Sequence, residues 1–323
     1  MSVASVRGRW ARRHRRAAGG PPSKSGATDA LGEARRPPRA TPDSFTGPAY
    51  LGRTAALATK HGKERILAPA LAPIGLEVAV AEVDTDRFGT FTGEIARSGS
   101  ALEVAVRKAR AGMAALRTDA GLASEGSFGP LPETPFLTAD VEIVLLVDDR
   151  LDLVVCERAV SFETAAAMIA VRPGDDFGRF CADVGFPEQA LICRPSDGSR
   201  RNICKAITDV ELLERAVATA ARASEDGRAI IETDLRAHLC PSRRKVIAEA
   251  ARRLADRLAM ACPQCRAPGF GVVHDEPGRP CAECGLPTSA SLATVTTCAR
   301  CGHARRETHR GEADPSGCSW CNP

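Results

Sequence analysis

The chain has 323 residues, 44% of them hydrophobic and only 4% aromatic, so it is long enough for two domains whose cores are filled mainly by aliphatic side chains and alanine. The net charge is +4, but residues 1–50 alone carry +7, which leaves −3 for the rest and does not favour a general nucleic-acid-binding surface there. No run approaches the roughly 18 consecutive apolar residues of a membrane span, and the basic N-terminus lacks the apolar segment of a secretory signal. We therefore expect no membrane partner for the folded part.

Residues 1–50 are rich in Arg, Pro, Gly and Ser and are predicted to be a disordered basic tail. Trp10 stands among six arginines between Arg7 and Arg16 and could contact RNA or an anionic membrane surface. The alternatives are a solvated tail or a start codon assigned too early. The ordered part is predicted to consist of an α/β domain at 51–260 and a cysteine-rich module at 261–323.

The first ordered element is a short buried strand at Thr54–Ala58, after which Thr59 is predicted to cap a helix. The first turn of that helix would hold Lys60, His61 and Lys63, and cations at this position oppose the helix dipole. A bound phosphate would meet both the free backbone N–H groups and the lysines, so these three residues are candidate phosphate ligands. The alternative is a solvent-exposed turn.

A second strand is predicted at Leu76–Ala81, followed by a segment rich in hydroxyls, glycines and acids at Asp84–Glu94. The helix after it carries apolar residues from Leu102 to Leu116 at alternating spacings of four and three. Lys108 lies on its polar side, and we expect it to point towards the glycine-rich stretch that follows and to be a further candidate phosphate ligand.

That stretch, Gly121–Pro130, reads G-L-A-S-E-G-S-F-G-P and is predicted to be a loop that precedes an apolar strand at Val141–Val147. Glycines let the backbone approach a ligand closely, and a carboxylate among them is suited to a hard cation. Glu125, together with Glu94 or Asp84, is therefore the predicted Mg²⁺ site. The alternative is an ordinary loop with a solvated glutamate.

The rest of the first domain alternates strands and helices, which predicts an α/β/α domain with a mixed sheet. Strands are predicted at Leu151–Cys156 and Ala229–Ile231, and helices at 175–184 and 209–223.

A second polar constellation, Glu232–Arg244, precedes a helix for which Ser242 is the candidate N-cap. The first turn of this helix is again basic. The acids of the segment Glu232–Arg244, Glu232 and Asp234, are candidate catalytic groups. Its basic residues Arg236, His238 and Arg243 are candidate phosphate ligands. Alternatively, the two acids neutralise the arginines of the helix start in a structural network, and the histidine is a hydrogen-bonded structural residue.

Eight of the thirteen cysteines form four C-x-x-C pairs near the C-terminus, which is the strongest local signal in the chain. Two such pairs make a closed tetrahedral Cys₄ zinc site, so two structural zinc ions in a zinc-ribbon-like module are predicted. Sequential and interleaved pairing both fit the spacing. The ligands are Cys262, Cys265, Cys281, Cys284, Cys298, Cys301, Cys318 and Cys321. Zinc thiolates and five scattered cysteines favour a reducing cytoplasm.

From Arg53 onwards the chain resembles an uncharacterised bacterial family, a domain of unknown function. The matching landmarks are A-T-K-H-G-K, F-G-T-F-T-G-E, G-L-A-S-E-G-S-F-G-P, E-T-D-L-R-A-H and the closing C-S-W-C-N-P. The resemblance covers nearly all of the ordered chain and implies no established activity.

Residues 53 to about 223 are also similar in layout to the inosine/xanthosine triphosphatase superfamily. Matching features are Thr59 with Lys63, then Glu94, Lys108 with Ala109, Glu125 with Gly126, and Lys205–Asp209. The resemblance implies Mg²⁺-dependent cleavage of non-canonical nucleoside triphosphates to monophosphate and pyrophosphate. The chain departs from that superfamily in the first loop, where Lys60 or His61 replaces an asparagine, and it lacks D-D-S-G-L.

Three functional hypotheses follow. The first is a Mg²⁺-dependent hydrolase that acts on a nucleotide. The second is a non-enzymatic adaptor whose zinc module docks a protein or RNA through Trp320 and the basic segment Arg300–Arg310. The third is an enzyme whose acids are Glu232 and Asp234, with the glycine-rich stretch purely structural.

Overall fold

The computed structural model describes residues 49–89, 99–132 and 134–323. The chain divides into two compact units, one ending at Ala259 and the other beginning at Met260. We call residues 49–259 the α/β unit and Met260–Pro323 the cysteine module. Residues 1–48, including Trp10 and its arginines, lie outside the described part, and so does Glu94.

The α/β unit is built around a five-stranded mixed sheet with the order β2-β1-β3-β4-β5. β1 pairs in parallel with β2 and β3, and β3, β4 and β5 continue the sheet in antiparallel fashion. The predicted mixed α/β fold class is therefore confirmed. The strands are β1 (Arg53–Ala58), β2 (Leu76–Ala81), β3 (Ala120–Leu131), β4 (Thr134–Asp148) and β5 (Leu153–Ser161).

Helices cover the sheet because the crossover from β1 to β2 and the crossover from β2 to β3 run in opposite directions along it. α1 (Glu64–Leu71) joins β1 to β2, and α2 (Ala101–Leu116) joins β2 to β3 on the other side of β1. The apolar face of α2 packs on Ala123 and Leu145 of the sheet. α1 contacts α5 (Pro241–Ala259), which packs on β4 and β5.

A second, antiparallel sheet with the order β6-β9-β7-β8 lies in the same unit. Leu213 and Val217 of one helix pack on Leu191 and Ile231 of this sheet. Three of its strands were not predicted, since they span only four or five residues. The elements are β6 (Met168–Val171), α3 (Gly178–Val184), β7 (Leu191–Pro195), β8 (Cys204–Ile207), α4 (Val210–Ala223) and β9 (Ala229–Thr233).

The cysteine module contains a three-stranded antiparallel sheet of β10 (Phe270–Pro277), β11 (Ser291–Cys298) and β12 (Ala304–Thr308). Its cysteine pairs lie in the turns that flank these strands. No described helix in either unit is both long and apolar enough to cross a membrane.

The prediction of a loop at Gly121–Pro130 is wrong, because these residues lie within β3. The first part of β3 is buried on both faces, and its glycines provide space for neighbouring side chains. A Cβ added to Gly121 would lie 2.6 Å from Met113 Cγ of α2. The glycines here permit close packing of a strand rather than a flexible ligand-binding turn.

Both predicted helix caps are also wrong. α1 begins at Glu64 with Lys63 as its N-cap, and the Thr59 hydroxyl instead accepts a hydrogen bond from the His61 N–H at 3.2 Å. Lys60 and His61 therefore lie in the loop before the helix. α5 begins at Pro241, which suits a first-turn position because proline lacks the N–H that would be left free there, so Ser242 lies inside the helix.

Candidate functional site

Polar side chains converge where β1 ends, at the carboxyl edge of the parallel strands. β1 pairs with β3 only at Ala56 and Leu57, so β3 continues beyond the end of β1. Lys63 enters the space that β1 leaves, and its ammonium donates to the Ser124 carbonyl at 2.8 Å and hydroxyl at 3.2 Å. Lys63 is therefore a buried cation held against the middle of the sheet.

The next buried cation is Arg243, from the first turn of α5. Its Nε donates to Glu142 Oε1 at 2.6 Å and its Nη1 to the Leu235 carbonyl at 2.6 Å. Glu142 stands opposite Gly126 in the pairing of β3 and β4. A Cβ at Gly126 would lie 1.9 Å from Glu142 Oε1 and 2.7 Å from Arg243 Nη2. The second glycine of the motif thus makes room for an ion pair.

Asp140 lies two residues before Glu142, so both carboxylates project from the same face of β4. Asp140 is 1% exposed and Glu142 is fully buried. Asp140 Oδ1 and Glu142 Oε2 have no hydrogen-bond donor. Burial, and then the charge of Glu142, raise the pKa of Asp140 to about 7, while Arg243 and Lys63 oppose the rise. Asp140 is thus poised to change charge near neutral pH.

The pKa of Lys63 is lowered to about 8, first by burial and then by the charge of Arg243. Glu142 and Glu125 oppose this shift. Lys63 consequently stays mostly protonated at pH 7 but can lose its proton more readily than an exposed lysine.

Two histidines stack nearby, with the rings of His61 and His238 5.0 Å apart between centroids. The pKa of His61 is lowered to about 4, first by burial and then by the nearby His238, Lys63, Arg236 and Arg243. Each of these four neighbours disfavours protonation of the His61 imidazole. The residues before α1 and α5 therefore form one region of positive potential around a neutral imidazole.

Asp234 holds Arg236 in place at one side of this region of positive potential. Its buried carboxylate accepts hydrogen bonds from Arg236 Nη2 at 2.5 Å, Arg236 Nε at 2.9 Å and the Ala206 N–H at 3.2 Å. Glu232, by contrast, pairs with Arg194 at 3.1 Å. Both acids thus neutralise an arginine, but neither is the partner of Arg243.

In the described part of the chain, the predicted magnesium ligands Glu125 and Asp84 do not lie together. Glu125 Oε1 lies 2.5 Å from Lys108 Nζ, so Lys108 does point to the glycine-rich stretch. Asp84 instead pairs with Lys60, whose ammonium lies 2.5 Å from Asp84 Oδ1 and 2.7 Å from Asp86 Oδ2. A cation on Glu125 would have to displace Lys108, which does not fit a ready-made Mg²⁺ site.

We call Lys63, Asp140, Glu142 and Arg243, together with His61, Arg236 and His238, the charged cluster. Sequence reasoning missed Asp140 and Glu142 because alternating acids in a strand usually face solvent. The signal was present, since both stand at the start of an apolar run that is buried on both faces and a buried acid requires a partner.

The cysteine module forms two sulfur tetrads whose ligand atoms each lie within 4.8 Å of one another. Among the described residues these are the only groups of three or more ligands close enough for one ion. One contains Cys262, Cys265, Cys298 and Cys301, and the other Cys281, Cys284, Cys318 and Cys321. The pairing is therefore interleaved, first pair with third and second with fourth, which decides between the two arrangements that spacing allowed.

The sulfur geometry fits a tetrahedral ion. Sγ–Sγ distances between paired turns are 3.6 and 3.8 Å in one tetrad and 3.7 and 3.8 Å in the other. A tetrahedron with metal–sulfur bonds of about 2.3 Å has edges of about 3.8 Å. The thiolates are thus already spaced as a metal requires.

All four C-x-x-C turns share one backbone pattern. The residue after the second cysteine donates its N–H to the carbonyl of the first, at 2.8 to 3.1 Å. Arg266, Gly285 and Gly302 occupy that position with φ between 58° and 76°. The residue inside the turn also donates to sulfur, as the Arg300 N–H does to Cys298 Sγ at 3.4 Å. Such turns hold two sulfurs on one side of the backbone.

These features define an α/β protein with a buried charged cluster and a metal-binding type of cysteine module. The family model described as Domain of unknown function (DUF6671) matches residues 108–323, about two thirds of the chain. The chain therefore belongs to this family. The match includes Asp140, Glu142, Arg243 and both tetrads, whereas His61 and Lys63 precede it.

Searches of curated proteins and of solved structures found no match. The resemblance to the inosine/xanthosine triphosphatase superfamily is not tested by these comparisons and stays a prediction.

Proposed function

We propose that the chain is a hydrolase that cleaves a phosphoanhydride bond of a nucleotide at the charged cluster. The observation that supports this is the convergence of cations from the starts of α1 and α5 around His61, whose pKa of about 4 reflects burial and that positive potential. Free N–H groups at helix starts add to the attraction for phosphate. Lys63, Arg236 and Arg243 are the proposed phosphate ligands, and neutral His61 can donate one hydrogen bond.

Magnesium enters this proposal as the counter-ion that a nucleoside triphosphate carries in solution. Mg²⁺ neutralises phosphate charge and stabilises the charge that develops on the leaving group. Because Glu125 is engaged by Lys108, the chain's own cations carry the rest of that task. Lys60, in the loop before α1, is exposed and pairs with Asp84 and Asp86, which follow β2.

The test is an incubation of the full chain with canonical and non-canonical nucleoside triphosphates, with Mg²⁺ or with EDTA, and measurement of pyrophosphate and phosphate. Arg236→Gln should raise KM about tenfold, the effect of losing one charge-assisted hydrogen bond of about 1.4 kcal/mol. The matched control is Arg215→Gln on the exposed face of α4. Glu125→Gln and Glu232→Gln separate the two predicted sets of acids. Absence of turnover with every nucleotide would reject the proposal.

We propose that each tetrad holds one structural zinc ion, so metal analysis should give about two zinc per chain. Paired substitutions report the connectivity. Cys262→Ser with Cys298→Ser should leave one zinc, because both residues serve one tetrad. Cys262→Ser with Cys281→Ser should leave none. The opposite pattern would contradict the interleaved arrangement. None of the thirteen cysteines, all of which lie in the described part of the chain, forms a disulfide, and we propose a reducing cytoplasmic location.

A second candidate function is an adaptor in which the cysteine module docks a protein or RNA. The observation in its favour is that Trp320 is 75% exposed and that every residue of β12 is exposed, including Arg305 and Arg306. Exposed aromatic and arginine side chains are typical of binding surfaces. Trp320→Ala in the full chain should abolish capture of that partner without loss of zinc. A partner captured equally well by this variant would contradict the role of Trp320.

A further inference from the structure

The carboxylates around the charged cluster are not equivalent. Glu125 is held by Lys108, Asp234 by Arg236, and Glu142 by Arg243 through Oε1. In the described part of the chain, Asp140 alone among these acids has no ion pair with a basic side chain. Its Oδ1 is buried without a donor, and so is Oε2 of Glu142.

A buried acceptor without a donor is destabilising, so such a pair calls for a proton or a donor group. Asp140 and Glu142 lie two residues apart in β4, so their carboxyl groups stand side by side on the same face of that strand. One proton between them would satisfy both oxygens. A divalent cation is a poorer solution, because Lys63 and Arg243 already supply two positive charges at the same place.

We infer that Asp140 and Glu142 share one proton and that Asp140 is the general base of the site, which accepts the proton of the attacking water. This inference rests on the proposed hydrolysis of a phosphoanhydride. It adds to that proposal a catalytic residue that the sequence did not indicate. Glu142, held by Arg243, acts through Asp140 and is a positioning residue.

The groups that face Asp140 come from three elements. Glu142 on its own strand and burial raise the pKa, whereas Lys63 before α1 and Arg243 on α5 lower it. The neighbouring strands present the uncharged Phe128 and Ser161 at this register. The balance leaves the pKa at about 7. A base whose pKa lies near the ambient pH is deprotonated in a large fraction of the molecules and still binds a proton strongly enough to drive its transfer.

The proposed step balances without an added oxidant or reductant. The pair begins the step without its shared proton. The water oxygen forms a bond to phosphorus as one O–H bond breaks, and that proton passes to Asp140, where it becomes the proton shared with Glu142. The bridging P–O bond breaks, and its electron pair leaves with the departing phosphate or pyrophosphate. The proton then returns to solvent. While Asp140 is protonated, the two positive charges of Lys63 and Arg243 exceed the single negative charge of Glu142. This excess favours retention of the anion until its release.

The decisive experiment measures the pH dependence of nucleotide turnover in the full chain and in Asp140→Asn, with Asp149→Asn as the matched control. Asp149 is exposed and pairs with Arg110 away from the cluster. Wild type should show an ascending limb with a midpoint near pH 7. Asp140→Asn should lose that limb and about 100-fold in kcat, the usual effect of removing a general base. Unchanged turnover and limb in this variant would overturn the inference.

A second measurement needs no substrate, namely urea unfolding of the same three proteins between pH 4 and 8. A carboxyl whose pKa is raised on folding contributes stability that is fully present below its unfolded pKa near 3.9 and is lost as the pH rises through about 7. Relative to Asp140→Asn, wild type should therefore lose unfolding midpoint over this range, and Asp149→Asn should follow wild type.

The two measurements separate the possible failures. Turnover in wild type that survives in Asp140→Asn removes Asp140 as the base while the proposed hydrolase stands. Absence of turnover in wild type rejects the proposed function and the base with it. Parallel unfolding curves for wild type and Asp140→Asn would overturn the shared proton in either case.

Discussion

Two buried charge networks lie at opposite ends of β1, and they are satisfied differently. At the amino end, Arg53 donates to Asp148 at 2.5 and 3.1 Å and to Asp119 at 2.8 Å. At the carboxyl end, Asp140 and Glu142 each keep a buried oxygen without a donor. Both networks tie β4 to neighbouring elements, yet only in the second do carboxylate oxygens lack a donor. At the amino end the buried atom without a partner is the hydroxyl of Tyr50, whose ring lies under Arg53.

This difference distinguishes a network that supports the fold from a network that can take part in chemistry. Both carboxylate oxygens of Asp148 are engaged, since Arg53 donates to each of them and Oδ1 also accepts the Leu151 N–H at 3.1 Å, so this carboxylate has no acceptor left for a ligand. A satisfied network rigidifies the fold, whereas a strongly perturbed and partly unsatisfied one is a candidate functional site. Four experiments test this division, beginning with the largest expected effect.

The amino-end network should matter for stability and not for turnover. Arg53→Met leaves the buried carboxylate of Asp148 without its charge partner and should cost about 3 kcal/mol of unfolding free energy, towards the lower end for buried pairs because Arg53 keeps 12% of its side chain exposed. Urea unfolding measures the loss. Arg110→Met, which removes an exposed pair with Asp149, should change stability by less than about 1 kcal/mol. A stable Arg53→Met protein would remove the structural role.

The carboxyl-end network should be broken by a single methyl group. Gly126→Ala places a Cβ 1.9 Å from Glu142 Oε1, so Arg243 and Glu142 must separate. We expect a loss of about 1–3 kcal/mol, as for other overpacked interiors, together with loss of anion binding. Gly129→Ala in the same strand meets nothing within 4 Å and serves as the control. Equal behaviour of the two variants would show that the ion pair does not depend on Gly126.

The positive potential at the carboxyl end should be visible at His61. Its pKa is lowered to about 4, so it contributes stability that is present above the unfolded pKa near 6.5 and is lost as the pH falls through about 4. Pyrophosphate bound nearby should raise the pKa of His61 by about one unit or more, the effect of a close opposite charge. Titration of the imidazole by NMR, with and without pyrophosphate, measures this. A pKa that does not move would place the anion elsewhere.

The smallest effect is expected at the exposed residue Lys60, which forms the rim of the charged cluster. Lys60 pairs with Asp84 and Asp86 in solvent, so Lys60→Ala should leave the melting temperature unchanged. Its charge should still assist pyrophosphate binding at low ionic strength, and this advantage should vanish in about 1 M salt, where the screening length is only about 3 Å. Calorimetric titration at two salt concentrations distinguishes this rim effect from a direct contact, which would persist.

Several elements were readable from local sequence. β2 has the predicted bounds, Leu76–Ala81. The helix predicted at 209–223 is found at Val210–Ala223, where the Asp209 side chain caps it by accepting the Leu212 N–H. The glycine-rich stretch could not be read in the same way, because glycine signals both a turn and a close approach. Only the register against β4 and the packing of α2 show that close approach applies here.

The sequence by itself determined which eight cysteines can act as metal ligands, because a C-x-x-C turn is closed by hydrogen bonds within a few residues. Only the tertiary structure decided which turns share a tetrad, since that depends on how β10 and β11 bring distant turns together. The same holds for the charged cluster. Arg243 meets Glu142 across 101 residues of chain, and a contact of that length is set by sheet register and helix packing, which local spacing does not encode.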